Sequence, residues 1–307
     1  NNMLLRNNKG VFSIVTDIYA PELNRTGIVN DAAWGNVDGD GKNELVLAGE
    51  WMPVMILKFS NEKWGLIDPL VSVNRMGKTT MIPLREMTGW WNTAVLNDID
   101  NDGDLDILAG NRGLNSKIIG EPNRPCTIYA KDFDGNGSYD AVLGYYIKDK
   151  CYPMYHRDQL IDQMPFIRKK FYRYHLYAGK TMDEVFSPEQ KTGMDIFRST
   201  CFESGVFLND GPGKFRFVAF PEMAQFSTVN DMLVGDWNRD GIKDLLLAGN
   251  SSDPDVSTGN YDAMASLLLY GDGKGNFDPV ITTGISSGGV IRRIIPLPDN
   301  RFILLQN

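Results

Sequence analysis

Short apolar runs separated by turn residues set the pattern of the chain. Ala32-Ala33-Trp34, Thr93-Ala94-Val95-Leu96 and Leu245-Leu246-Leu247-Ala248 have strand length and are bounded by Gly, Asn and Asp, which predicts strands rather than helices. Acidic turns of nine residues separate paired runs. The turn at 36–44 leads into Leu45-Val46-Leu47-Ala48-Gly49-Glu50, and that at 98–106 into Ile107-Leu108-Ala109-Gly110-Asn111. The turn at 132–140 leads into Ala141-Val142-Leu143-Gly144, and that at 236–244 into Leu245 to Asn250. Each unit predicts strand, acidic turn, strand, and repetition of this kind points to a repeat architecture. A second repeated element, residues 208–215 and 269–277 with a weaker copy at 4–12, reads as hairpins with Gly-rich turns. These hairpins would supply the outer two strands of a four-stranded unit.

Residues 148–203 break the pattern. Residues 157–164 have helical spacing up to Pro165, residues 166–177 place apolar or aromatic side chains at i, i+1 and i+4/5, and residues 182–186 add another turn. The spacing predicts a helical insertion. It carries Arg157, Arg168, Lys169, Lys170 and Arg173 among Tyr155, Tyr172, Tyr174 and Tyr177. A basic aromatic stretch suits RNA, but it also suits aromatics packed inward with cations snorkelling out, or a surface that docks a partner.

The acidic turns carry specific chemistry. Each has the form D/N-x-D/N-x-D/N-G-x-x-D/E. Side-chain oxygens at positions 1, 3 and 5 of a tight turn converge on one point, position 7 adds its backbone carbonyl, and position 9 returns a carboxylate as the second strand begins. Glycine at position 6 permits the reversal. The expected ligands are Asn36, Asp38, Asp40, Lys42 and Glu44; Asp98, Asp100, Asp102, Asp104 and Asp106; Asp132, Asp134, Asn136, Ser138 and Asp140; and Asp236, Asn238, Asp240, Ile242 and Asp244. Lys42, Asp104, Ser138 and Ile242 contribute through their carbonyls. So many hard oxygen donors suit calcium better than magnesium. The loop is like the first half of an EF-hand loop, but the acid stands at position 9 instead of 12 and flanking helices are missing.

Net charge then changes meaning. The chain of 307 residues has a formal charge of −8. The four turns hold 14 of the 39 acidic residues and three cations, a net −11, which leaves +3 for everything else. Four calcium ions would bring the total to about zero. The charge argues against a chain-wide footprint for nucleic acid. No apolar run reaches membrane-spanning length. The two histidines, His156 and His175, argue against a multi-histidine metal site and read as hydrogen-bonded structural residues. Cys126, Cys151 and Cys201 have no CxxC spacing and read as buried thiols, with one disulfide possible in principle. The first residues lack the pattern of a signal peptide, and both ends read as cut within structure.

The four acidic turns and the Asn-Asp-Gly-x-Gly-x-Phe type hairpins resemble the FG-GAP/VCBS repeat family. Its members form calcium-binding β-propellers similar to the integrin alpha-subunit head. The resemblance covers residues 1–147 and 204–307. Gly89-Trp90-Trp91-Asn92, residues 109–116 and residues 129–137 resemble the large VCBS-repeat proteins of Bacteroidetes, some of which carry an UnbV/ASPIC-type domain. The resemblance implies an all-β fold, one propeller domain over 1–307 of about five four-stranded blades, or an arc of a seven-bladed ring, with 148–203 inserted within a blade. The 34-residue spacing from 98 to 132 is short for a blade. The 132 turn is therefore expected in the outer hairpin of the 98 blade, unless a new blade starts near Thr127. The N-terminal outer hairpin and the C-terminal inner hairpin are expected to complete one blade together, which would remove exposed sheet edges.

The same resemblance puts the acidic turns on one face and the Ala-Gly-Glu50, Ala-Gly-Asn111 and Ala-Gly-Asn250 loops on the other. Glu50, Trp51, Trp90, Trp91, Asn111, Arg112, Asn115 and Asn250 are the candidate contacts there for a sugar or peptide. Glu50, Asn111 and Asn250 equally suit simple capping of strand ends. The function implied is non-enzymatic recognition or assembly at the cell surface or in the periplasm, with calcium structural and a glycan or protein as partner. It could be a subunit of an outer-membrane complex docked through the insertion. Polysaccharide lyases on similar propellers are the enzymatic alternative.

Overall fold

Alternation organises the first sheet. Along β3 (Ile28–Gly35) every second residue turns inward, whereas β4 (Glu44–Met52) is largely buried on both faces. With β5 (Met55–Ser60) and β6 (Lys63–Ile67) these strands make an antiparallel meander, β3-β4-β5-β6, and a short β9 (Gly89–Trp90) pairs with β4. Strands are numbered here in chain order. The computed structural model describes residues 2–252, 259–264, 266–280, 289–298 and 301–306, so Asn1 and Asn307 at the chain ends lie outside the described residues.

The chain is mostly β, in several sheets, and forms two compact units. The first comprises Asn1–Lys117 and Phe202–Asn307, and the second Ile118–Cys201. In the first unit, the second sheet runs β10 (Thr93–Asn97), β11 (Asp106–Gly110), β16 (Gly205–Asn209), β17 (Lys214–Ala219). It is extended by the hairpin β7 (Leu70–Arg75) and β8 (Lys78–Pro83), where β7 joins β17 in parallel. The third is β18 (Val229–Gly235), β19 (Asp244–Gly249), β20 (Ser266–Gly271), β21 (Phe277–Val280). β22 (Ile291–Leu297) and β23 (Arg301–Gln306) form a two-stranded sheet, as do β1 (Leu5–Asn8) and β2 (Val11–Ile14).

Leu and Ile at the strand centres join the sheets face to face. Leu108, Val206 and Leu208 of the second sheet share one core with Val229, Leu245, Leu247 and Leu269 of the third. On the other face of β19, Leu246 and Ala248 pack on Ile291 and Ile294 of β22. The repeated Ala-Gly at the end of β4 and β19 has a steric cause. A Cβ on Gly49 would lie 2.3 Å from the Ile28 carbonyl oxygen, and one on Gly249 1.8 Å from that of Thr228. Only glycine lets the backbones approach so closely.

Two expectations are corrected. The hairpin that completes the 98 sheet is β16–β17, from beyond the excursion, with Ile107 opposite Phe207. Its turn is the Gly-rich one after Asn209. The 132 turn instead joins β12 (Cys126–Lys131) to β13 (Asp140–Ile147) in a separate sheet of order β14-β13-β12-β15, with β14 (Lys150–Pro153) and β15 (Asp195–Ser199). β15 occupies the free edge of β12, which closes that edge to β11. The terminal hairpins also do not pair with each other among the described residues. Every residue of β1 and β2 is exposed, the apolar Leu5, Val11, Phe12 and Ile14 included, and Leu4, just before the hairpin, packs on the core of Ala20, Leu23 and Leu47.

The second unit holds the short helices Arg157–Gln163, Phe166–Lys170, Tyr174–Tyr177, Met182–Val185 and Pro188–Lys191. They surround Val142 of the sheet with Leu160, Ile161, Met164, Ile167, Val185 and Phe186. The compact unit begins at Ile118, earlier than the 148–203 helical stretch, and takes in the third acidic turn. Across the excursion β11 and β16 remain directly paired, and the Gly113 N–H donates to the Phe202 carbonyl at 2.9 Å.

Candidate metal centres and a polar depression

The acidic turns share one backbone device. The side chain at position 5 closes the turn by accepting from the N–H of position 7: Asp40 from Lys42, Asp102 from Asp104, Asn136 from Ser138 and Asp240 from Ile242. The acid at position 9 accepts from the N–H of position 2: Glu44 from Val37, Asp106 from Ile99, Asp140 from Phe133 and Asp244 from Trp237. Gly103, with φ of +99°, shows why glycine is required at position 6.

Three turns gather carboxylates. Asp38, Asp40 and Glu44 have oxygens within 4.8 Å of one another, as do Asp98, Asp100 and Asp106, and Asp132, Asp134 and Asp140. The 98 turn belongs with the 36 turn in the first unit, and the 132 turn to the second. Among the described residues the 236 turn makes no such group, and there the Asn238 amide donates to Asp240 at 2.7 Å. In the first unit the turns interlock: Asn209 donates from its side chain to the carbonyls of Val37 and Leu105, and Lys243 donates to that of Asp98.

The first two turns leave buried oxygens unpaired: Asn36 Oδ1, Glu44 Oε1, Asp98 Oδ1 and Asp100 Oδ1 have no hydrogen-bond partner. Buried oxygens without donors are costly, and a hard cation at the convergence point satisfies them, so the donor set fits calcium. Burial pushes the acids of Glu44, Asp100 and Asp140 above the usual carboxylate range. Asp106, fully buried, is pushed up to about 6 by burial, against the opposing hydrogen bonds from Asn209 and Ile99. The 36 turn differs in one respect. Lys58 of β5 ion-pairs with Asp38 and, at 2.7 Å, with Asp40, whose acidity its hydrogen bond strengthens.

β3 runs from the 36 turn at its end back to a polar depression at its start. A hollow of about 300 Å³ is lined there by Asn30, Asp31, Glu50, Asn92, Asn230, Arg292 and Arg293. A second of about 260 Å³ shares Glu50, Asn92, Asn230 and Arg292 and adds Trp90, Arg112, Thr228 and Ser251. β-bulges put three of these residues there. The register slips between Val29 and Asp31, between Val229 and Asp231, and between Ile291 and Arg293, so Asn30, Asn230 and Arg292 are each the extra residue. Bulges re-aim side chains in this way. Arg293 ties the strands together, bonding Asp31 at 3.2 Å and approaching Asp231 at 3.6 Å.

Of the residues expected on this face, Glu50, Trp90 and Arg112 line the depression. The Arg112 guanidinium lies 4.7 Å from the Trp90 ring and 4.6 Å from the Tyr261 ring. Trp51 packs on Trp90 at 4.9 Å. Burial raises the Glu50 carboxyl, which Arg112 partly offsets. Trp91 is core, its indole donating to the Met87 carbonyl. Asn111 and Asn250 are buried caps: Asn111 accepts from the N–H groups of Trp90 and Arg112, Asn250 from that of Met264. Asn115 lies apart, in a hollow of about 410 Å³ with Leu114, Gln225 and Phe226. Asn30, Asn92, Asn230, Arg292 and Arg293 were not anticipated. Their signal is a polar residue at the same offset in each strand start: Val29-Asn30-Asp31, Trp91-Asn92-Thr93, Val229-Asn230-Asp231, Ile291-Arg292-Arg293.

No helix among the described residues is long and apolar enough to cross a membrane. A scan against models of known protein families matches none, and no curated protein matches the chain.

Proposed function

We infer that the chain is a calcium-stabilised β-propeller of the FG-GAP/VCBS type, acting in recognition or assembly at the cell surface or in the periplasm rather than in catalysis. The observation that carries the reading is the set of buried, unpaired oxygens at Asn36, Glu44, Asp98 and Asp100, in turns whose carboxylates converge. A ring of blades is supported by the neighbouring first strands, β3 beside β10, β10 beside β18 and β18 beside β22. The Arg293 pairs with Asp31 and Asp231 bring β22 back to β3. Calcium supplies positive charge at the convergence points when bound. The protein's own part is to hold each turn through positions 5 and 9 so that the oxygens already face one another. The polar depression is the recognition face, at the opposite end of β3 from the 36 turn.

Metal content after dialysis and thermal melting in chelator test this. At free calcium about 100-fold above Kd each site contributes about 2.7 kcal/mol, roughly 5–10 °C for each site in the larger unit and about twice that for the 132 site in the smaller one. A protein that retains no calcium and melts identically in chelator refutes the reading.

A further inference from the structure

The depression has donors and acceptors arranged in a way that selects a ligand chemistry. Its amides are oriented by the main chain. Asn230 spends its NH2 group on the carbonyls of Asn250 and Ile291, at 2.8 and 2.9 Å, and Asn30 donates to the Trp91 carbonyl at 3.1 Å. Asn230 then offers its oxygen, an acceptor, and Asn30 its oxygen together with its second amide hydrogen. Two buried groups lack any partner: the Trp90 indole Nε1 and the Thr228 hydroxyl, the latter on a residue only 6% exposed. Both residues line the smaller hollow. Buried polar groups left unpaired in a native fold call for a partner that the chain itself does not supply.

Three features narrow that partner. Acceptors fixed in place, beside an unpaired hydroxyl and an unpaired N–H, suit a ligand rich in hydroxyl groups. The Trp90 ring is already covered by Arg112, Trp51 and the edge of Phe202 at 5.8 Å. It therefore offers its N–H and no free face, which disfavours a nucleobase or an aromatic peptide side chain. Arg112, held between two rings, and Arg292, carried on its bulge, both line the smaller hollow. Planar guanidinium groups suit a carboxylate. Glu50 and Asp31 at the same site weigh against a doubly charged phosphate. The size, about 300 Å³, is at the small end of small-molecule sites.

We propose that the depression binds an acidic sugar, with Arg112 and Arg292 taking its carboxylate and Asn30, Asn230, Thr228 and the Trp90 N–H taking its hydroxyls. This deepens the recognition reading and does not depend on the calcium reading.

The test is titration of the calcium-treated full chain with D-glucuronate, glucose, acetate and inorganic phosphate, followed by calorimetry and tryptophan fluorescence. Glucuronate is expected to bind in the millimolar range usual for so small a ligand, about tenfold more tightly than the other three. Arg292→Gln is expected to lose that preference and bring glucuronate down to the level of glucose. Thr228→Val, nearly isosteric, is expected to weaken both sugars alike. Thermal melts identify variants that remain folded, and Trp90→Phe, which keeps an aromatic ring but removes the N–H together with the five-membered part of the indole, gives an independent reading. Equal binding of glucose, or preferential binding of phosphate, overturns the acidic-sugar assignment while leaving recognition at the depression standing. Absence of all four at about 50 mM, or wild-type titrations from folded Arg292→Gln and Thr228→Val, overturns the site itself. Metal content measured on the same samples shows separately whether the calcium reading holds.

Discussion

Asp106 couples the 98 turn to pH in a direction opposite to that of most salt-bridged acids. Its carboxylate is fully buried, accepts from Ile99 N–H at 2.7 Å and from Asn209 N–H at 2.8 Å, and lies near Asp100 and Asp102. Without metal, burial outweighs the hydrogen bonds and the acid rises from 3.8 to about 6. A raised acid means that the folded state holds its proton more tightly than the unfolded state. Its contribution is therefore constant below 3.8, falls as pH climbs from there to about 6, and is constant above. The gap corresponds to about 3 kcal/mol as a ceiling. Asp106→Asn removes the ionisation and also loses one of the two accepted bonds, at about 1–3 kcal/mol, a cost that is the same at every pH and cancels in the comparison. Urea unfolding in chelator, at about pH 4 and about pH 7.5, should show the wild type losing up to about 3 kcal/mol more than Asp106→Asn between the two. Calcium, which Asp106 would bind as its carboxylate, favours the ionised form in the wild type, and its binding is weakened by Asp106→Asn, so in excess calcium the difference should reverse sign. Parallel pH profiles for the two proteins in chelator, or a wild type that gains relative to the variant as pH rises, would refute the reasoning.

Two further outcomes follow from single contacts. Gly249→Ala places a Cβ 1.8 Å from the Thr228 carbonyl oxygen and should cost about 3 kcal/mol or more in chemical denaturation; a change within about 0.5 kcal/mol would show that the strands yield freely. Lys58→Met removes the cation that pairs with Asp38 and Asp40. It should lower the melting temperature in chelator yet tighten calcium binding at the 36 turn, and a calorimetric isotherm that superimposes on the wild type's would contradict this.

The acidic turns were legible because their chemistry is local. Positions 1, 3, 5 and 9 lie within nine residues, and the reversal brings their carboxylates together in the 36, 98 and 132 turns. The second duty of Glu44 and Asp106, as backbone acceptors for Val37 and Ile99, was not legible, because it depends on where an N–H points after the turn closes. Sheet composition failed for a different reason. Nearness in sequence favours β12 as the neighbour of β11, but β12 is committed on both sides, to β13 and β15, and β16 arrives from far along the chain. The two adjacent tryptophans show the limit of residue type alone. Trp90 lines the depression and Trp91 is core, because successive side chains on an extended strand point to opposite faces. Asn30, Asn230 and Arg292 read in one dimension as polar interruptions of strands. Their common role appears only once strand register shows that each is the extra residue of a bulge.

The direct pairing of β11 with β16 has a consequence for the order in which the chain folds. In an unfolded chain, bringing these strands together means closing a loop as long as the whole Ile118–Cys201 excursion, an entropic cost that grows with the logarithm of its length. If that excursion first condenses around Val142, Leu160 and Phe186, most of the loop is no longer free, and a short tether remains between Gly110 and Gly205. The excursion also leaves the ribosome before β16 does. Early collapse of the excursion would then raise the local concentration of one half of a sheet for the other.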